Sequence, residues 1–303
     1  MKDVIKIENL YKSYGAVKAV NDLSFKVKEG ELFAFLGVNG AGKSTTISVI
    51  SGTLKKDSGK VYIDGVDIDE NPDGIKRSMG VVFQNSVLDK ALTVRDNLLH
   101  RAALYGLYDK DAVSRIDELA AELDFKDFID RPISKLSGGQ RRKADIARAL
   151  IHSPKILILD EPTTGLDPQT RTTLWQFVDK LRKERNMTVF LTTHYMEEAA
   201  DADYVVIIDG GVVAAEGSPH ELKNKYTGDY ITVYGIDEDD AKKIGLPYEI
   251  ISGAYRFNVD NTLAATKIIT KHPELFNDYE VTKGKMDSVF LSVTGKNLTG
   301  EDK

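Results

Sequence analysis

The stretch Gly37-Val38-Asn39-Gly40-Ala41-Gly42-Lys43-Ser44-Thr45 carries the spacing G-x-x-x-x-G-K-[ST] directly behind an apolar run, Leu32 to Leu36. That is the pattern of a phosphate-binding loop between a strand and a helix. Wrapping a triphosphate with backbone N–H groups requires unusual φ/ψ, and Gly37, Gly40 and Gly42 supply that freedom. A helix beginning near Gly42 adds its positive end, Lys43 adds a mobile cation for the β and γ phosphates, and the Ser44 hydroxyl is placed to ligate Mg²⁺.

Other residues fit the same chemistry. Ile156 to Leu159 is apolar without alternation, a buried strand, and it ends in Asp160-Glu161. Beside a phosphate loop, Asp160 is expected to hold Mg²⁺ through water, and Glu161 to take a proton from water attacking the γ phosphate. Gln84 closes the strand starting at Met79, and His194 follows the strand Thr188 to Thr193. In an open α/β sheet, ligands gather at such strand ends. Leu136-Ser137-Gly138-Gly139-Gln140 opens a helix. Ser137 can cap it, and glycines at its positive end expose backbone N–H groups, making a second anion site. Tyr14, ahead of the loop in sequence, is the aromatic favoured over Tyr11 to stack on a nucleobase. Each has a plainer reading as well: a turn, a cap, a packed tyrosine or a structural histidine.

The elements that position these groups alternate between sheet and helix. Val4 to Leu10 and Val17 to Val27 read as strands, with a turn at Tyr11 to Gly15. Gly59 to Asp64 and Met79 to Gln84 follow as strands. Thr93-Val94-Arg95-Asp96 has the spacing of a capping box, and a second helix from about Asp111 places Val113, Ile116, Leu119, Ala120 and Leu123 inward. Tyr204 to Asp209 and Val212 to Ala215 form a hairpin, and Ser218-Pro219 starts a closing helix. Beyond about Gly228 the order is β-α-β-β-α-β, a ferredoxin-like pattern.

The chain has 303 residues, enough for about two domains, with 42% hydrophobic and 29% charged residues. No apolar run approaches the ~18 residues of a membrane helix, so a spanning function falls to another chain. A net charge of −6 disfavours nucleic acid as partner. The absence of cysteine excludes disulfides and thiol catalysis.

From about Val4 to Tyr226 the chain resembles the ATP-binding subunits of ABC transporters. The phosphate loop, Gln84, Leu136 to Gln140, Asp160-Glu161, Gly165-Leu166-Asp167 and His194 occur in the family's order. Gln140-Arg141-Arg142-Lys143, Thr193 to Ala199 and Asp287 to Gly295 are similar to daunorubicin-resistance-type export ATPases. The resemblance implies an α/β P-loop ATPase with an antiparallel β subdomain and a helical subdomain at about 86–153, together spanning 1–227. A C-terminal α+β domain then spans 228–303.

It further implies a head-to-tail dimer, formed by like or related subunits, that sandwiches two ATP molecules. Gly37, Asn39, Gly40, Ala41, Gly42, Lys43, Ser44 and Thr45 of one copy would face Ser137, Gly138, Gly139 and Gln140 of the other, with Asp167 beside the nucleotide. Tyr14 would stack on adenine, Gln84 would contact Mg²⁺ and the attacking water, and His194 would hold the γ phosphate. The partner would be an integral membrane permease docking near Val87 to Tyr108, and the location the inner face of the cell membrane.

A soluble ABC ATPase acting on ribosomes or DNA is the rival reading. Such proteins carry two fused ATPase halves or a long coiled coil, and neither is present. A non-catalytic nucleotide regulator would have no need of both Glu161 and His194, and no Asn-Lys-x-Asp motif supports a GTPase.

Overall fold

The computed structural model describes residues 2–296. The chain divides into two compact units: one from the start to His194 with Ala202–Val213, the other from Tyr195–Asp201 with the chain from Ala214 onward.

In the first unit, β1 (Asp3–Tyr14) and β2 (Val17–Lys28) form a long hairpin, followed by β3 (Leu32–Leu36) and α1 (Lys43–Ile50). Then come β4 (Ser58–Ile63), β5 (Val66–Asp67), α2 (Pro72–Ser78), β6 (Met79–Val82), α3 (Val94–Ala103), α4 (Asp109–Glu122) and α5 (Gly138–Leu150). After these come β7 (Ile156–Asp160), α6 (Pro168–Arg185), β8 (Thr188–Thr193), α7 (Met196–Ala200), β9 (Tyr204–Asp209) and β10 (Val212–Gly217), inside which the units divide. Strands β9, β3, β8, β7 and β6 are hydrogen-bonded in that order, all parallel, with β10 beside β9. A second sheet, β2-β1-β4-β5, is antiparallel.

The hairpin runs further than its sequence suggests. Tyr11 to Tyr14, expected as a turn, belong to β1, and Tyr14 pairs with Val17. Cross-strand pairing holds these aromatics in the strand, and the register shifts around Asn9 and Asp22, both at positive φ, absorb the irregularity.

The core explains the patterning. β3 is buried at every position, as a central parallel strand covered on both faces must be. Phe25 of the antiparallel sheet packs with Phe33, Phe35 and Phe190 of the parallel sheet at ring-centroid distances of 5.2–6.0 Å. Each such side chain contributes about 1.5–3 kcal/mol by leaving water. The phosphate-loop end of β3 is thereby anchored between two sheets.

The helical segment also forms as expected, with one exchange. Thr93 and Asp96 make the capping box of α3. Along α4, Ile116, Leu119, Ala120 and Leu123 are buried as expected, but Ala112 takes the inward place expected of Val113, which is 40% exposed. The helix begins at Asp109, earlier than the expected Asp111. His152, just past α5, stacks on Tyr105 at 3.8 Å, and its Nε2 meets the Met79 carbonyl at 3.0 Å.

Burial pushes the His152 pKa from 6.5 down to about 4. A depressed folded-state pKa means the neutral ring's stabilisation is complete above pH 6.5 and is lost as pH falls towards 4. We expect a loss of about 1–2 kcal/mol between pH 7 and 5, limited by solvent screening of a partly exposed ring. Urea unfolding of His152→Gln should show a shallower pH slope; an identical slope would contradict this.

The second unit contains α7, α8 (Pro219–Tyr226), β11 (Asp229–Val233), α9 (Glu238–Lys243), β12 (Tyr248–Ile251), β13 (Ala254–Val259), α10 (Thr262–Lys271), β14 (Tyr279–Lys283) and α11 (Met286–Thr294). Its sheet order is β12-β13-β11-β14 with antiparallel pairing throughout. Numbered within the unit this is 2-3-1-4, the ferredoxin-like arrangement that the β-α-β-β-α-β order suggested. Ile231, Val233, Phe257, Val259 and Ala265 form its buried core.

The division does not fall at residue 228. Helix α11, not anticipated from the sequence, packs on α8 and α7, and so groups them with the tail. Residues 297–303, which the expected domain 228–303 includes, lie outside the described residues.

Candidate functional site

The phosphate loop has the strand-loop-helix setting that its spacing demands. Gly42 caps α1 at φ 109°, and a Cβ there would lie 2.3 Å from the Ala19 carbonyl oxygen of β2. Both the backbone conformation and the close approach of the hairpin therefore require glycine. Helix α1 ends at Ser51, with Gly52 at φ 69° as its C′ residue.

Lys43 is only 6% exposed, and its ammonium donates to the Gly37 carbonyl at 2.6 Å and the Val38 carbonyl at 3.2 Å. Burial lowers its pKa, while Glu161 and then Asp160 oppose that shift. Ser44 and Asn39 are exposed, Ala41 is buried, and Thr45 is half-buried at the start of the helix.

The end of β7 faces this loop electrostatically. Asp160 is buried and accepts from the Thr192 hydroxyl at 2.5 Å. Burial raises its pKa, with the Glu161 charge adding and Thr192 and Lys43 opposing. Glu161 sits at φ 45°, an uncommon conformation for glutamate that costs on the order of 1–3 kcal/mol. Its N–H donates to the Thr192 hydroxyl at 3.1 Å and to the Thr192 carbonyl at 3.0 Å.

Three side chains converge on the Glu161 carboxylate. Gln84 Nε2 donates to Oε2 at 2.8 Å, the Thr164 hydroxyl donates at 3.4 Å, and His194 Nδ1 lies 3.5 Å away. The fold thus unites groups from residues 84, 161, 164 and 194 at the carboxyl ends of β6, β7 and β8. A carboxylate held this way can accept a proton from water, and its neighbours can orient that water.

The second predicted anion site stands apart. Ser137 caps α5 and exchanges bonds with Gln140, side chain to backbone, at 3.1 and 3.2 Å. Helix α5 packs on β6, α3 and α4, whereas α1 packs on β2 and β7. Gly138 has open space where a Cβ would point, and a Cβ on Gly139 would meet Thr170 of α6 at 2.9 Å.

Asp167 caps α6, accepting from the Thr170 N–H at 2.9 Å and hydroxyl at 2.6 Å, and those bonds lower its pKa. Tyr14 ends β1 and is 52% exposed, with Lys12 Nζ 5.9 Å from its ring centroid.

Residues 20–164 match the ABC transporter family. The linearmycin resistance ATP-binding protein LnrL of Bacillus subtilis is 36% identical, covering 97% of this chain and 99% of its own. This chain belongs to the ABC transporter ATP-binding family. It is also 34% identical to the daunorubicin resistance ATP-binding protein DrrA3 of Streptomyces coeruleorubidus, with 96% of each chain covered. A dimeric cassette, MJ0796, in a post-hydrolysis state with ADP and Pi, superposes with a TM-score of 0.65 at 30% identity, covering 71% of this chain and 98% of that one. The chain is an ATPase subunit of the export and drug-resistance type.

Two residues of this ABC ATPase were given no role from sequence. Thr192 ties Asp160 to Glu161, and its only sequence signal is a hydroxyl in an apolar strand just before His194. Arg142, buried in α5, donates to the carbonyls of Phe83 at 2.6 Å, Pro162 at 2.7 Å and Asp160 at 3.2 Å. One guanidinium thereby fixes the backbone next to Gln84 and on both sides of Glu161. Arg142→Ala leaves these carbonyls without their charged donor and should cost at least about 3 kcal/mol, with Arg142→Lys intermediate. An unchanged urea midpoint for the alanine variant would contradict this.

Proposed function

We propose that this chain is the ATP-hydrolysing subunit of an exporter whose substrate passes through a separate integral membrane permease. In this reading two ATPase subunits close head to tail around two ATP molecules. The convergence of Gln84, Thr164 and His194 on the Glu161 carboxylate, beside the Lys43 loop, carries the reading.

Gly37 to Thr45 then bind the phosphates, Tyr14 stacks on adenine, and Ser137, Gly138, Gly139 and Gln140 of the other copy contact the γ phosphate. Asp167 lies near the nucleotide as the cap that fixes the turn. Glu161 accepts the proton of the attacking water, Gln84 orients that water, and His194 holds the γ phosphate. Hydrolysis gives ADP and phosphate, removes the group that holds the two copies together and so reopens the dimer.

The Ser44 hydroxyl, the Gln84 amide oxygen and the Asp160 carboxylate are hard oxygen donors, the set Mg²⁺ takes alongside phosphate and water. When bound, Mg²⁺ neutralises phosphate charge. The subunit then sits peripherally on the inner face of the cell membrane, and no helix among the described residues is long and apolar enough to cross it. The segment beyond about Gly228 would serve as an accessory domain, by default for dimerisation or for packing against the main domain.

The test is a mild-detergent pull-down of the tagged chain from its native cells, read by mass spectrometry. A stoichiometric polytopic membrane protein is expected. Ribosomal or DNA-repair proteins with no membrane protein would overturn the reading.

A further inference from the structure

Gln84 and Asn85 are exposed, so burial does not fix the segment that aims Gln84 at Glu161. Helix α5 supplies the hold. Arg142, Asp145 and Arg148 stand three residues apart along it and so share one face. Arg148 Nη2 donates to the Val81 carbonyl at 2.8 Å, Arg142 Nη1 donates to the Phe83 carbonyl at 2.6 Å, and Asp145 Oδ1 accepts from the Ser86 hydroxyl at 2.9 Å. Gln84 is thus held on both sides by one helix.

Asp145 is the costly member of this set. It is 4% exposed, and the Ser86 hydroxyl is the hydrogen-bond donor that reaches its carboxylate. Burial pushes the Asp145 pKa up, and the Ser86 bond, then the charges of Arg142, Arg148 and Arg141, oppose that. A buried carboxylate is expensive even among cations, and a neutral side chain would pack between helix and loop at lower cost. Costly local choices of this kind gather at functional sites.

The Ser86 hydroxyl also accepts from the Leu88 N–H at 3.4 Å, which closes the bend that follows Gln84. On the other side, the Gln84 amide reaches Glu161 Oε2 at 2.8 Å.

We infer that Asp145 and Ser86 are positioning residues for ATP hydrolysis: their hydrogen bond fixes the loop behind Gln84, so that the Gln84 amide meets the Glu161 carboxylate and the water attacking beside it. Both act through Gln84 and not on the reacting atoms. The inference rests on the reading of Gln84 as the group that orients that water.

Ser86→Ala and Asp145→Ala should each lower kcat for ATP hydrolysis about 10- to 100-fold, the upper figure being what a displacement of ~1 Å costs, with KM for ATP changed less than about twofold. Asp145→Asn keeps an acceptor without the charge and should fall between, while Ser86→Thr keeps the hydroxyl and should turn over near the wild-type rate. Combining Ser86→Ala with Asp145→Ala should add nothing, because each removes the same bond. In a Gln84→Ala background neither should lower kcat further, whereas a purely structural role would lower it there as well. Hydrogen exchange of the 83–88 amides in the nucleotide-free protein, a readout independent of turnover, should quicken in both single variants.

Wild-type kcat or unchanged exchange in Ser86→Ala would overturn the inference, as would losses that multiply on Gln84→Ala. Ser86→Ala decides the matter where Asp145→Ala does not fold. Slow turnover by Gln84→Ala with wild-type turnover by the Ser86 and Asp145 variants would overturn this inference alone. Wild-type turnover by Gln84→Ala would overturn the role given to Gln84 and this inference with it.

Discussion

Glu161→Gln should lower ATP turnover by about 10²- to 10⁴-fold while preserving ATP binding, and should accumulate a dimer in Mg-ATP. The expectation follows from the geometry around the carboxylate. The substituted amide retains an oxygen that can accept from Gln84, so the site keeps its shape, but it can no longer take up a proton from water. The strained backbone at φ 45° is unaffected by the exchange, and so are the bonds to Thr192. Steady-state phosphate release measures the turnover, and light scattering with ATP measures the dimer. Turnover at the wild-type rate would remove Glu161 from the role of base.

Lys43→Ala should act one step earlier, on binding itself. The ammonium is almost fully buried against the loop carbonyls of Gly37 and Val38, within the field of Glu161 and Asp160. Charge-assisted hydrogen bonds are worth about 1.5–3 kcal/mol, so ATP affinity should fall about 10- to 150-fold. Fluorescent ATP titration reads this directly. Unchanged affinity would mean that the backbone amides and helix α1 hold the phosphates alone. The two variants together separate nucleotide capture from the chemical step, since one should lose affinity and the other turnover.

Much of the site is legible in the chain because its parts depend on short-range chemistry. The phosphate loop is written as glycine spacing, and the Ser137 and Thr93 helix starts are written as capping boxes. The strand ends bearing Gln84, Asp160 and His194 follow from apolar runs and their polar termini. The ferredoxin-like order of the tail was likewise readable from strand and helix periodicity, and the structure adds the 2-3-1-4 sheet order.

Tertiary structure decided what depends on approach between distant segments. Sequence cannot show that Thr192 clamps Asp160, or that Arg142 gathers carbonyls from the ends of two strands, because hydroxyls in strands and arginines on helices are usually unremarkable. The extension of β1 through Tyr14 was decided by pairing with β2, which local turn residues do not report. The grouping of α7 and α8 with the tail was decided by the packing of α11. The sequence by itself determined the spacing of the phosphate loop and the order of the elements, because those depend on residue type at fixed spacing. Which side chains complete the Glu161 site, and where the units divide, were set only by folding, because they depend on packing and hydrogen bonds between segments far apart in the chain.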